Sequence, residues 1–312
     1  MLIKDKFSAW EKECDERFNT LKANEEELNR IFIGIYGLQE ELPPEAADKD
    51  IAVRKADLVR EIKSLISYAV GCMLGRYTIY KEGLFYAGGH WDYDSKVGLL
   101  SNLARECGSS PQNPSGIFLP DKDNIIPICG DEYFTDDIVG RFVEFISKAY
   151  GEEALEENLK FIADVLSGNG SSREVIRNYF IKDFCKDHIQ AYKKRPIYWQ
   201  FDSGKKNGFK ALVYMHRYTP DLPARMRTDY VHEQQERYST ALSQIENDMK
   251  NANKKDKARL TKQQSKIKEQ ADELARFEEK IHHLADMNIS IDLDDGVKVS
   301  YAKFKDVLVK VK

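Results

Sequence analysis

Residues 229–287 contain no glycine and no proline, which strongly favours long helices over this stretch. An apolar residue recurs every seven positions, at Leu260, Ile267, Leu274 and Ile281. A seven-residue repeat aligns apolar side chains along one helix face, where a second helix can pack. The polar break at 251–254 therefore predicts an antiparallel coiled-coil hairpin over residues 226–290. Two arms of about 25 residues each would project roughly 35–40 Å.

The first 82 residues are predicted to form a helical hairpin. Between positions 5 and 41, apolar residues recur at helical spacings, at Leu21, Leu28, Ile31, Phe32 and Ile35. Pro43 and Pro44 should end this first helix, because proline cannot continue a helical hydrogen-bond ladder. A second apolar stripe runs from about Val53 to Leu74. We expect the two helices to pack against each other.

Residues 83–225 are predicted to form an α+β body. Glycine, proline and asparagine are frequent over 84–135 and indicate short strands and loops. Helices are expected at 136–149, 154–167 and 172–192, the last with a serine cap. The tail, 291–312, resembles a short strand followed by a final helix. The predicted fold class is therefore mainly α with small β elements.

A basic β-hairpin is predicted within the central body. Two apolar runs, 197–201 and 209–214, flank the polar segment 202–208, which contains two glycines. Lys205 and Lys206 would lie at the tip. If the strands pair, we expect five further basic residues to extend the same patch, namely Lys193, Lys194, Arg195, Lys210 and Arg217. The tip is either a phosphate contact or an ordinary solvated turn over buried aromatic residues.

The charge of the chain is unevenly distributed. The formal net charge is −4, but residues 186–227 hold ten Lys/Arg against three acids, and 250–268 hold eight against one, a local net of +7 in each case. Clustered lysines and arginines are typical of contacts with nucleic-acid phosphates. The candidate DNA-binding residues are Lys193, Lys194, Arg195, Lys205, Lys206, Lys210, Arg217, Arg225, Arg227, Lys254, Lys255 and Lys257.

The motifs of common catalytic and metal sites are missing from the sequence. No glycine-rich phosphate or methyl-donor loop is present, and the single Pro-Pro pair, at 43–44, lacks the Asp/Asn and aromatic neighbours that hold a flipped adenine. Cys185 and His188 supply only two possible metal ligands, so we interpret them as packing residues. We predict no catalytic residue, metal or cofactor in this chain.

Cysteine usage and hydropathy indicate a cytoplasmic protein. The five cysteines are odd in number and widely spaced, which is typical of free thiols in a reducing compartment. No apolar run approaches the ~18 residues of a transmembrane helix. We therefore expect no membrane partner.

Several sequence blocks resemble a single family. The longest, LNRIFIGIYGLQEE at 28–41, is joined by blocks at 71–77, 123–128, 194–199, 209–218 and 295–304. Together they resemble the PglX-type adenine-specific DNA methyltransferases of BREX phage-exclusion systems, which are related in layout to fused restriction–methyltransferase enzymes. The resemblance covers nearly the whole chain.

That resemblance implies a role outside catalysis. In the family, the S-adenosylmethionine and base-binding motifs lie in an N-terminal half, whereas this chain resembles the far C-terminal part. We expect a fragment, a split gene product or a truncated relative that acts as a DNA-binding, target-recognition-associated module in phage defence. Its expected partners are double-stranded DNA and the catalytic half or other defence subunits. The alternative is an interaction scaffold whose coiled coil docks other defence subunits or an inhibitor.

Overall fold

The computed structural model describes residues 1–108 and 116–311. Its helices are α1 (Ile3–Tyr36), α2 (Leu58–Met73), α3 (Tyr93–Glu106), α4 (Ile138–Tyr150), α5 (Leu155–Leu166), α6 (Ser172–Lys182), α7 (Phe184–Ala191), α8 (Leu222–Arg225), α9 (His232–Asn251), α10 (Lys254–Met287) and α11 (Val297–Ala302). Its strands are β1 (Ile126–Pro127), β2 (Tyr198–Asp202) and β3 (Lys210–Tyr214). The predicted mainly-α class with small β elements is confirmed.

The three strands form an antiparallel sheet in the order β1-β3-β2. In the β2–β3 hairpin, Tyr198 lies opposite Tyr214 and Asp202 lies opposite Lys210, which confirms the hairpin predicted from the two apolar runs. The other edge of β2 is covered by the tail, since Leu308 pairs with Phe201. The predicted order of the tail was wrong: α11 comes first, and the extended segment follows it.

Helices α2, α4, α5 and α6 pack together and form most of the helical core. The predicted helices at 136–149 and 154–167 correspond to α4 and α5. The expected helix at 172–192 is divided at Asp183 into α6 and α7, and a capping box between Ser171 and Glu174 starts α6. Helix α3 was predicted as strand or loop; the Asp92 side chain caps it by accepting the Ser95 N–H.

The N-terminal hairpin differs from the prediction in its second arm. The start of α1 docks on α5, where the Ile3 N–H donates to Asn158 Oδ1 at 2.8 Å. After α1 the chain returns along it as segment 43–57, which contains one short 3-10 turn at Asp48–Asp50, and Lys22 pairs with Asp48 at 2.7 Å. Helix α2 lies instead on α4 and α5, so its apolar stripe belongs to the main core.

Helices α9 and α10 form the predicted antiparallel hairpin. Asn253 caps α10 by accepting the Asp256 N–H at 2.9 Å, which marks the turn between the two helices. Near this turn Ile245 and Leu260 are buried, whereas further along α10 the apolar side chains join the main core. The hairpin is therefore anchored at its base, and its far end is polar. No helix in the described ranges is long and apolar enough to cross a membrane.

Candidate nucleic-acid interface

The tip of the β2–β3 hairpin is attached to α10. The Glu273 carboxylate accepts the Lys206 N–H at 2.8 Å, the Gly208 N–H at 3.0 Å and the Ser203 hydroxyl at 2.9 Å. The Gln270 side-chain amide donates to the carbonyl oxygens of Lys206 and Asn207, at 3.1 Å each. These contacts bring the two basic segments of the chain together.

Two glycines allow this close approach. Gly204 has a φ of +140°, and a Cβ built there would lie 2.5 Å from a Glu273 carboxylate oxygen. At Gly208, a Cβ would lie 2.6 Å from the backbone oxygen of Gln270. At Gly208 any side chain would push the tip away from the α10 backbone. At Gly204 the positive φ disfavours other residues, and a side chain would also displace the Glu273 carboxylate.

The two tip lysines have different environments. Lys206 Nζ pairs with Glu269 Oε2 at 2.9 Å, in addition to the backbone contact with Glu273. Lys205 is exposed and makes no ion pair with any residue that the structure describes. Of the two lysines at the predicted phosphate contact, only Lys205 therefore has an uncommitted ammonium group.

Lys210 and Arg217 do not extend an exposed basic patch, and this part of the prediction was wrong. Lys210 is buried and pairs with Asp202 at 2.8 Å, directly across the two strands. The buried Arg217 guanidinium donates to the carbonyl oxygens of Leu74 at 3.1 Å and Asp121 at 2.9 Å, and stacks over Trp91. Both cations therefore hold the fold together.

The exposed run 193–195 lies at the other end of the hairpin. Lys193, Lys194 and Arg195 precede β2, whereas the tip follows it, and five strand residues separate them by roughly 17 Å. Lys193 and Lys194 adopt left-handed backbone angles in a turn after α7. The prediction that they share one patch with the tip was therefore wrong. Pairing of β2 with β3 brings the two strands together, but residues 193–195 and the tip remain at opposite ends of β2.

Arg225 and Arg227 are also engaged within the fold. Arg225 pairs with Asp221 at 2.7 Å and donates to the Asp123 carbonyl oxygen. Arg227 pairs with Glu278 of α10 at 2.5 Å. These contacts link the segment around α8 to its neighbours, so neither guanidinium is fully available to a ligand.

The lysines at the start of α10, unlike Arg225 and Arg227, are not engaged within the fold. Lys254, Lys255 and Lys257 are exposed, and none has an ion pair within the described part of the chain. The neighbouring Arg259 approaches Asp256 only at 3.8 Å. The far end of the α9–α10 hairpin is therefore an open, positively charged surface.

A groove brings lysines from three elements together. It encloses about 380 Å³ and is lined by Lys182 at the end of α6, Lys206 at the hairpin tip and Lys266 on α10. The amide side chains of Asn178 and Asn207 also face it. The Glu174 carboxylate also lines the groove, and Lys206 is paired with Glu269. The ammonium groups of Lys182 and Lys266 make no ion pair within the described residues, so these two donors suit a phosphate oxygen.

Two of the three groove lysines, Lys182 and Lys266, were not among the predicted site residues. Lys266 belongs to the basic run at 250–268, and that run was the only available signal. No sequence signal identifies Lys182, because its proximity to α10 depends on how α6 packs. We call the surface formed by Lys182, Lys206, Lys266 and Asn207 the basic groove.

Ionisable groups elsewhere serve the fold. His188 Nε2 accepts the N–H groups of Ile197 and Tyr198 at 3.1 Å each, and burial together with nearby Arg76 lowers the pKa of this imidazole to about 3. Burial and the adjacent Asp123 raise the pKa of Asp121, whose carboxylate accepts backbone N–H groups in the turn before β1. Within the described residues, no three potential ligands are grouped to hold a metal ion.

Comparison with known proteins yields two close matches. The chain is 48% identical over 302 residues to the adenine-specific methyltransferase PglX of Lacticaseibacillus casei (strain Zhang), which covers 95% of the chain and 24% of that protein. It is 42% identical over 258 residues to the adenine-specific methyltransferase BrxX of Escherichia coli O9:H4 (strain HS), covering 80% and 20% respectively. The chain thus spans a quarter or less of the length of these relatives. No family model matches it.

Proposed function

The chain is homologous to a segment of the PglX and BrxX adenine-specific methyltransferases, and we propose that it serves such an enzyme as a DNA-backbone-binding module in BREX phage defence. The basic groove carries this proposal, since it joins lysines of both basic segments with a lysine of α6. In this proposal the module itself is not catalytic, and S-adenosylmethionine belongs to the methyl-transferring part of the enzyme.

The geometry suits a contact that follows one DNA strand. From Lys254 to Lys268, α10 rises by about 21 Å, at ~1.5 Å per residue. Phosphates on one strand are ~3.4 Å apart along the duplex axis, so this length corresponds to about six phosphates. Lysines contact phosphates without reading the bases, so the proposed contact orients the enzyme on DNA and leaves sequence recognition to other surfaces.

The basic groove can be tested by neutralising two of its lysines. Lys182→Gln/Lys266→Gln removes two ammonium groups that make no ion pair within the described residues. Anisotropy of a labelled 20-base-pair duplex, titrated with the whole chain at several salt concentrations, measures both affinity and its salt dependence. If each lysine contacts one phosphate, we expect the log–log salt slope to decrease by about 1.8.

A matched control keeps the same change of charge. Lys298→Gln/Lys305→Gln neutralises two exposed lysines in and just after α11, neither of which lines the basic groove. This control should leave the salt slope within error of the parent value. Equal DNA binding by the groove variant, the control and the parent would refute the groove as a DNA interface.

A phosphate contact at the hairpin tip is tested better by changing Lys205 alone than by changing both Lys205 and Lys206. Changing both Lys205 and Lys206 to glutamate would place a new carboxylate beside Glu269 and Glu273, and repulsion would release the tip from α10. Lys205→Glu alone changes the exposed charge and leaves the attachment of the tip intact. It is therefore the cleaner test of a phosphate contact at the tip.

A further inference from the structure

Helix α1 carries an apolar stripe of which only the first part is covered. Cys14 and Phe18 are buried, but further along the helix the large apolar side chains are 48–71% exposed, at Leu28, Ile31, Phe32, Ile35 and Tyr36. We call these five residues the α1 stripe. Contiguous apolar surface of this kind is uncommon on soluble proteins outside interaction sites.

The α1 stripe forms a single helix face. Positions 28, 31, 32 and 35 follow the i, i+3, i+4, i+7 spacing, which places their side chains along one side of a helix. The returning segment 43–57 covers a different side, where Asn29 Nδ2 donates to the Pro44 carbonyl oxygen at 3.1 Å and Glu26 accepts the Ala46 N–H. The stripe is therefore left open by the segment closest to it.

The segment of the chain that carries the α1 stripe is acidic. Residues 22–45 contain six acids, Glu25, Glu26, Glu27, Glu40, Glu41 and Glu45, against two bases, a net of −4. Both bases already have partners, since Lys22 pairs with Asp48 and Arg30 with Glu27. The last turn of α1 has no basic residue, so the negative end of the helix dipole adds to the acidic charge.

These charges distinguish between possible occupants. A second copy would bring two acidic segments together, and an anionic lipid surface would also be repelled. A complementary partner has an apolar centre and a basic rim. The homologous methyltransferases supply an occupant, because about three quarters of their length lies outside the region that matches this chain.

We propose that the α1 stripe docks on the part of an adenine-specific methyltransferase outside the matched region, against an apolar surface with basic residues around it. The proposed protein-binding surface therefore lies on α1, whereas the sequence suggested the coiled coil. It is independent of the basic groove, because α1 contributes no residue to that groove.

Cysteine labelling measures whether the stripe is covered. Ile35→Cys is introduced with Cys107→Ser, which removes the exposed native thiol. Maleimide labelling of residue 35 is followed by peptide mass spectrometry in the chain alone and in a chimera. The chimera is the Lacticaseibacillus casei PglX with its 302 matched residues replaced by this chain. We expect labelling at least tenfold slower in the chimera.

A second site controls for the chimera itself. Leu84 is 55% exposed in this chain, and a cysteine at this position should be labelled at the same rate in both proteins. Equal rates at residue 35 would overturn the proposal. So would protection of residue 35 in the chain alone that disappears on dilution, because that result identifies a second copy as the occupant.

The natural relative provides a test that does not depend on the chimera. In the full-length Lacticaseibacillus casei protein, cysteines at the positions aligned with Ile35 and Leu84 can be labelled in the same way. The position aligned with Ile35 should be protected and the other should not. In addition, Phe32→Glu/Ile35→Glu should leave the melting temperature of this chain unchanged, because both side chains are exposed in it, but lower that of the chimera.

Discussion

The two basic segments carry the same net charge of +7 but use it in different ways. Of the ten Lys/Arg at 186–227, six are paired or buried within the fold, namely Lys186, Lys206, Lys210, Arg217, Arg225 and Arg227. Of the eight at 250–268, only Arg259 approaches a carboxylate in the described part of the chain, at 3.8 Å. Net charge therefore does not identify the segment that is free to bind an anion.

The difference arises from the positions of the two segments in the fold. Residues 186–227 run from α7 through the sheet and into α8. Lys210 and Arg217 are buried there among apolar side chains, and each requires a carbonyl or carboxylate partner. Residues 250–268 form the far half of a two-helix hairpin, where water solvates every lysine. We expect substitutions of the buried cations of the first segment to change stability, and substitutions of the exposed lysines of the second segment to change anion binding.

The largest expected effect is that of Arg217→Met. The substitution fills similar volume but leaves the carbonyl oxygens of Leu74 and Asp121 without their buried donor. Loss of buried hydrogen bonds to a charged group should reduce the free energy of unfolding by about 3 kcal/mol or more. Urea denaturation at pH 7 measures this loss.

The matched substitution in the second segment is Lys257→Met. It removes an exposed ammonium group and should change the free energy of unfolding by less than about 0.5 kcal/mol. Comparable losses in the two variants would contradict the distinction between the segments.

A histidine in the first segment gives a smaller effect that depends on pH. The pKa of buried His188 is lowered to about 3, whereas an unfolded histidine titrates near 6.5. Below pH 6.5 the unfolded state therefore binds a proton that the folded state excludes. Stability contributed by neutral His188 is fully present above pH 6.5 and decreases by about 1.4 kcal/mol per pH unit as the pH falls toward 3.

The variant His188→Gln isolates this contribution. Glutamine retains an oxygen that can accept the N–H groups of Ile197 and Tyr198, but it does not titrate. The stability difference between parent and variant should shrink by about 2 kcal/mol between pH 8 and pH 5, as measured by urea denaturation. A difference that stays constant over this range would show that His188 is protonated equally in the folded and unfolded states.

Local sequence patterns were sufficient to predict most of the individual elements, but not α3, the division between α6 and α7, or the order of the tail. The heptads at Leu260, Ile267, Leu274 and Ile281 predicted α10, and the apolar runs around 202–208 predicted the β2–β3 hairpin. These patterns operate over a few residues, so they can be read without knowledge of the fold. The pairing of β2 with β3 and of α9 with α10 then follows, because each pair is joined by a short connection.

Contacts between distant elements could not be predicted in the same way. Glu273 contacts Lys206 across 67 residues, and no spacing rule connects the two. The α1 stripe shows the opposite problem: its periodicity predicted a buried face, but the structure leaves it exposed. Periodicity identifies a face that needs a partner, yet it does not state which segment is the partner.

The smallest expected effect on stability is that of Lys254→Gln/Lys255→Gln/Lys257→Gln. All three side chains are exposed at the start of α10, so the free energy of unfolding should change by less than about 0.5 kcal/mol. If all three contact phosphates, the log–log salt slope for duplex DNA should fall by about 2.7, against about 1.8 for the groove double variant. Each slope is measured by the same anisotropy titration. An unchanged slope for the triple variant, with a decrease for Lys182→Gln/Lys266→Gln, would confine the DNA contact to the basic groove, because each slope counts released counterions. A stability loss above 1 kcal/mol in the triple variant would instead show that these lysines support the fold, and the contrast between the two basic segments would fail.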